Sequence, residues 1–168
     1  MTTTGGCQCG AVRYAFDRPI ELPHICHWRM CQKASGNYFM PLGGVRRSDL
    51  RFTRGEPAWF QSSGPVRRGF CRECGTPLLF DTEGYEGINI TLGSLDDPAA
   101  TWPEDQFGTE ARMPWFHELP GLPGRETEED MEQDGARIDA IRATNRQHPD
   151  HDTGTWPPEG WRDGGASR

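Results

Sequence analysis

Apolar residues come in short bursts along this chain, and the bursts are too brief for helices. Residues 11–16 (AVRYAF), 39–42, 50–53, 58–61, 68–70, 78–80 and 88–92 each carry β-branched or aromatic side chains over a few positions. Turn signals separate several of them, among them Arg54-Gly55-Glu56-Pro57 and Ser63-Gly64-Pro65. Many short strands with this punctuation predict a mainly β, mostly antiparallel domain. Within it only 31–35 reads as a helical turn.

The pattern changes after the Pro- and Gly-rich stretch 119–124. Residues 127–147 predict a helix, with Thr127 and Asp130 as a weak cap signal. Its apolar stripe is thin: Met131, Ile138 and Ile141, with Gly135 breaking the run. Such a stripe can dock on a domain but cannot build a core. Residues 148–168 are rich in Asp, Gly and Pro and predict disorder. Trp156 and Trp161 stand out there, as surface or partner contacts. The expected organisation is a domain over 5–123 and an acidic, partly helical or disordered C-terminal tail over 124–168, which the domain can do without.

At 168 residues the chain can hold one domain with its own core. Charge is unevenly split. Residues 1–124 hold 12 basic and 14 acidic side chains, net −2, and residues 125–168 hold 6 and 11, net −5. An acidic chain with no basic stripe argues against nucleic acid as the main ligand. No apolar stretch reaches membrane-spanning length. The start, MTTTGGCQCG, has neither a basic region nor an apolar run, so it does not read as a signal peptide. The expected location is cytoplasmic, where close cysteine pairs are metal ligands more often than disulfides.

Six cysteines fall in three pairs. Cys7 and Cys9 are one residue apart, and Cys71 and Cys74 form a C-x-x-C followed by Gly75. Two such pairs can supply the four sulfurs of a closed tetrahedral zinc site. Gly5, Gly6, Gly10 and Gly75 flank them and let the backbone turn tightly around a bound ion. The plainer alternative is buried free thiols or a redox pair. The middle pair, Cys26 and Cys31, has four residues between its members and makes a poor chelate alone. A third thiolate between them would complete an open three-sulfur site, but Trp28 cannot ligate. His27 is the nearest substitute; His24 and His117 are weaker ones, and a lone histidine is more often structural.

The segments GGCQCGAVRY, CHWRMCQKASG, RGFCRECGTPL, TLGSLDDP and MPWFHELPGLP, in that order and spacing, resemble the glutathione-dependent formaldehyde-activating enzyme (GFA) family, whose domain also occurs in centromere protein V. The resemblance implies an Mss4-like fold of antiparallel strands bound to zinc. It implies S-(hydroxymethyl)glutathione synthase or, more broadly, carbon–sulfur lyase chemistry. Cys7, Cys9, Cys71 and Cys74 match the family's structural zinc ligands. Cys26 and Cys31 match the first and third ligands of a second, functional zinc, and so are the expected catalytic residues. The family's middle ligand is a cysteine, and Trp28 stands in its place, so the second metal and the activity are expected to be impaired. Glutathione carries two carboxylates, so cationic side chains near the cysteine motifs, Arg29 and Lys33 with Arg67 and Arg68, are the expected binding residues. Asp96 and Asp97 could pair as acid and base, though a turn-capping role suits them better. Two other functions compete with the lyase. One is a non-catalytic one-zinc module that holds a partner through its pocket or tail. The other is a redox reductase on a similar zinc-stabilised β fold, with Cys26 or Cys31 as the reactive thiol.

Overall fold

The computed structural model describes residues 2–127 and 131–157. Strands β1 (Thr3–Gly6), β2 (Arg13–Phe16) and β5 (Arg51–Arg54) form a small antiparallel sheet in the order β1-β2-β5. A seven-stranded sheet runs β10-β3-β4-β9-β8-β7-β6. Its members are β3 (Glu21–Cys26), β4 (Met40–Arg46), β6 (Ala58–Gln61), β7 (Val66–Phe70), β8 (Pro77–Thr82), β9 (Gly87–Thr91) and β10 (Asp105–Phe107). Every pairing in it is antiparallel except β10 with β3. The fold is therefore mainly β, as the strand pattern predicts.

The core lies on both faces of the large sheet because side chains alternate along a strand. In β4, Val45 joins a cluster containing Tyr14, Phe16, Leu78, Ile88, Ile90 and the buried Cys7, Cys9 and Cys71. Met40 and Leu42, of opposite parity, join a smaller cluster with Cys26 and Cys31. Each cysteine group is thus built into its own apolar patch. Helix α1 (Arg29–Ser35) carries Cys31; it ends at Gly36, whose φ of 64° is left-handed and whose N–H returns to the Gln32 carbonyl.

The sequence pattern gives no signal for β1, β3 or β10. β1 is Thr-Thr-Gly-Gly, with no alternation to detect. β3 contains Pro23, which normally argues against an inner strand. Its pairing with β4 shifts register between Glu21 and His24, and that irregularity accommodates the proline.

Beyond the sheets, helix α2 (Met131–Thr144) falls inside the predicted 127–147 and is kinked at Asp134. Ile138 is buried and Ile141 exposed. Asp130, half of the predicted cap, lies outside the described residues. Residues 148–157, where composition predicts disorder, lie against the domain instead. The His148 N–H donates to the Gln8 carbonyl at 2.7 Å and Trp156 Nε1 to the Cys9 carbonyl at 2.6 Å. Asp152 pairs with the buried Arg13 at 2.8 Å, and Arg54 donates to the Thr153 carbonyl. A segment without an apolar pattern can still be held when its polar groups satisfy buried partners. Trp161 and the rest of 158–168 lie outside the described residues. No helix among the described residues is long and apolar enough to cross a membrane.

Candidate metal centre and thiol site

Two turns of similar build bring the four outer cysteines together. In the first, the Cys7 N–H donates to the Val12 carbonyl at 2.9 Å; in the second, the Cys71 N–H donates to the Thr76 carbonyl at 2.9 Å. Each turn needs one residue with left-handed φ, supplied by Gly10 at 75° and Gly75 at 78°. The four sulfurs all lie within 4.8 Å of one another. Cys7 Sγ is 3.6 Å from Cys9 Sγ, which is 3.8 Å from Cys71 Sγ. A tetrahedron with zinc–sulfur bonds of 2.3 Å requires sulfur separations of about 3.8 Å, so the cradle has the right size for such an ion. The Val12 N–H also donates to Cys7 Sγ at 3.3 Å. Burial pushes the Cys9 thiol up, and pushes Cys71 up to about 11. For Cys74, burial opposes ionisation but the Thr76 hydroxyl and backbone donors outweigh it and hold the thiol near 7. These four cysteines, three buried and Cys74 half-buried, can hold a metal ion.

The two glycines separate strain from collision. A Cβ on Gly75 would meet nothing within 4 Å, whereas one on Gly10 would lie 2.0 Å from His148 Cδ2. Gly75→Ala is expected to cost about 1–2 kcal/mol through its positive φ alone. Gly10→Ala bears the same strain and must also displace His148. Denaturant titration should rank Gly10→Ala as clearly the less stable, with a change in Trp156 fluorescence that Gly75→Ala lacks.

The inner pair behaves differently. Cys26 ends β3, Cys31 sits in α1, and both are buried. Interaction between the two thiols drives Cys26 up and Cys31 down to about 6, the latter opposed by burial and helped by Arg68. Arg68 Nη2 donates to Cys31 Sγ at 3.5 Å. Trp28, between the two cysteines in sequence, packs edge-on against Phe107 at 5.2 Å. His27 does not complete the set. Its Nε2 meets Gln106 Oε1 at 3.0 Å, its ring lies edge-on to Phe116, and its Nδ1 has no hydrogen-bond partner among the described residues. His24 bonds the Leu22 carbonyl, and His117 is exposed beside Glu118. Among the described residues, the outer four cysteines form the only group of three or more potential ligands close enough to share an ion. Cys26 and Cys31 alone do not fit a second zinc.

A cavity of about 530 Å³ is walled by α1, β4, β6, β7 and β8; Cys26 and Cys31 do not line it, but Met40 and Arg68, which pack on the pair, do. Lys33 and Arg68 line it. Arg29 does not; its guanidinium donates to Gln32 Oε1 at 3.2 Å. Arg67 points elsewhere, to Asp81 at 2.8 Å and over the Trp59 ring. Asp96 accepts hydrogen bonds from Arg13 and Thr4, a structural role that leaves it no part at the thiols. In the sequence Arg68 is only one of several cations near the cysteine motifs. Its burial and its contact with Cys31 depend on pairing between β7 and β8, which no local motif encodes.

A β domain with a four-cysteine metal cradle and a buried thiol pair beside a cavity defines a class of small metal-binding folds. Residues 2–111 match the family described as glutathione-dependent formaldehyde-activating enzyme, and the chain belongs to that family, whose fold is Mss4-like. A protein of Halomonas elongata, provisionally named a glutathione-dependent formaldehyde-activating enzyme, is 26% identical over 113 residues, 62% of this chain and 72% of its own length. A crystal structure of a Rhodobacter sphaeroides protein superposes with a TM-score of 0.51 at 22% identity, covering 61% of this chain and 98% of that one. The latter likeness concerns the fold alone.

Proposed function

We propose that this chain is a carbon–sulfur lyase of the S-(hydroxymethyl)glutathione synthase type, acting on thiol adducts of a small aldehyde, with its activity curtailed by Trp28. The observation that carries this reading is the buried Cys26–Cys31 pair with Arg68 at the wall of a cavity, in a chain of this family. The reaction joins a thiol to a carbonyl. A sulfur–carbon bond forms, the carbonyl π pair moves to oxygen, and the thiol proton ends on that oxygen. Both the attacking sulfur and the developing alkoxide are anionic, so a fixed cation in a dry site favours the step. Arg68 supplies that charge. Cys7, Cys9, Cys71 and Cys74 would hold one zinc, which supplies a cross-link between two distant turns. No step is assigned to a second zinc, because two sulfurs do not make its site.

The test follows from Trp28. Purified parent protein is expected to carry about one zinc per chain, with weak acceleration of glutathione addition to formaldehyde. Trp28→Cys should raise the zinc content toward two and increase turnover at least tenfold. Parent protein that already holds two zincs and turns over as fast as Trp28→Cys would defeat the idea that Trp28 limits the site. A second reading is favoured by the same residue: an aromatic side chain, 42% exposed, in the ligand position suits a one-zinc binding module. Thiol binding without turnover in both variants would select it.

A further inference from the structure

The cavity beside the thiol pair is far larger and more apolar than formaldehyde requires. Its 530 Å³ falls in the usual range for small-molecule pockets. Phe60, Phe70, Leu79 and Met30 contribute apolar wall. Phe60 and Met30 are 62% and 41% exposed, so apolar surface at the mouth stands uncovered. Neither Asp nor Glu lines the cavity; its two charged residues, Lys33 and Arg68, are cations in an acidic chain.

Arg68 is the second, independent observation. It is 6% exposed; it donates to the Ser62 hydroxyl at 3.1 Å, Met40 Sδ at 3.6 Å and Cys31 Sγ at 3.5 Å, and its guanidinium lies 4.8 Å from the centre of the Phe80 ring. No carboxylate pairs with it among the described residues. A guanidinium has five N–H donors, and these contacts occupy three, two of them on sulfur. The Cys31 sulfur and the Phe80 ring face partner the cation, and its two remaining N–H donors suit a strongly accepting oxygen. Arg68 lines the cavity while touching Cys31, so an oxygen bound to it would sit at the end of the cavity nearest the thiol pair.

Resting on the lyase reading of this site, we infer that the carbonyl substrate is a medium-sized apolar aldehyde rather than formaldehyde. The thiol reacts at the Cys26–Cys31 end, Arg68 faces the oxygen that becomes the hydroxyl of the adduct, and the aldehyde's hydrocarbon substituent fills the cavity against Phe60 and Phe70. Lys33, on the exposed side of α1, is placed to meet a carboxylate of the thiol substrate.

Unreactive thioethers separate binding from turnover. The zinc-loaded 168-residue chain is titrated calorimetrically with S-hexylglutathione and S-methylglutathione. The hexyl compound is expected to bind at least tenfold more tightly, and hexanal to exceed formaldehyde in kcat/KM for adduct formation with glutathione. Phe60→Ser and Ala34→Glu, both at solvent-accessible wall positions, should each erase most of the hexyl preference, while Trp102→Ser, on another surface, leaves it intact. Equal affinity for the two thioethers, or a hexyl preference that survives both wall variants, overturns the inference. Formaldehyde turnover with equal thioether affinities would sink the apolar-aldehyde proposal and leave the lyase reading standing. A hexyl preference lost in both wall variants, with no turnover of any aldehyde, would support the pocket and sink the lyase.

Discussion

Cys71→Ser is expected to release the metal and destabilise the domain by several kcal/mol. Cys71 is fully buried, and its backbone closes the second turn through the Thr76 carbonyl. Removing one sulfur leaves three ligands on an ion that prefers four, and metal affinity in such a site is folding energy. The loss is large here because a metal held there would tie residues 7 and 9 to residues 71 and 74, joining the β1–β2 turn to the β7–β8 turn. The remaining thiols also resist ionisation without a metal: burial raises Cys9 and Cys71, so binding must displace their protons and weakens as pH falls. Zinc content by mass spectrometry of the native protein, read beside thermal melting, checks both effects. A variant that keeps its zinc and melts with the parent would show that the four cysteines are not the metal centre.

Much of this architecture is legible in the chain because its signals are local. The two cysteine pairs, the glycine after each, and the strands around 13–16, 58–61 and 88–91 are written in neighbouring residues. So is the lack of a third ligand at the inner pair, since Trp28 stands between Cys26 and Cys31 in the chain itself. What is not legible depends on distant pairing. β10 joins the large sheet by running parallel to β3, a placement that only the tertiary fold creates. Arg68 is indistinguishable from Arg67 by sequence, yet β-strand alternation turns one toward Cys31 and the other toward Asp81. Arg29 and Lys33, one helical turn apart on the same side of α1, look equivalent in sequence, yet Arg29 is engaged by Gln32 and only Lys33 lines the cavity.

The tail shows the limit of composition most plainly. Residues 148–157 carry no apolar pattern, which predicts a segment the domain can lose. Their polar groups nonetheless close the metal centre from outside: the carbonyls of Gln8 and Cys9 accept from His148 and Trp156, the buried Arg13 gains Asp152, and Arg54 gains Thr153. Truncation after Gly124 is therefore expected to cost about 2–4 kcal/mol, at about 0.5–1.5 kcal/mol for each lost hydrogen bond. The core clusters lie within residues 7–95, so the shortened chain should still fold. Its first cysteine turn, however, would face solvent and yield zinc to a chelator at least several-fold faster. His148 adds a pH signature. Burial, with Arg13 and Arg54 nearby, lowers its pKa below the usual imidazole value. A histidine held neutral in the fold contributes full stability above its unfolded pKa of about 6.5, and that contribution drains away as pH falls through the lowered folded value. Chelator-driven zinc release from the full chain should thus accelerate on acidification in that window more than release from the truncated chain. Equal release rates for the two chains at neutral pH would show that the tail plays no part in guarding the metal.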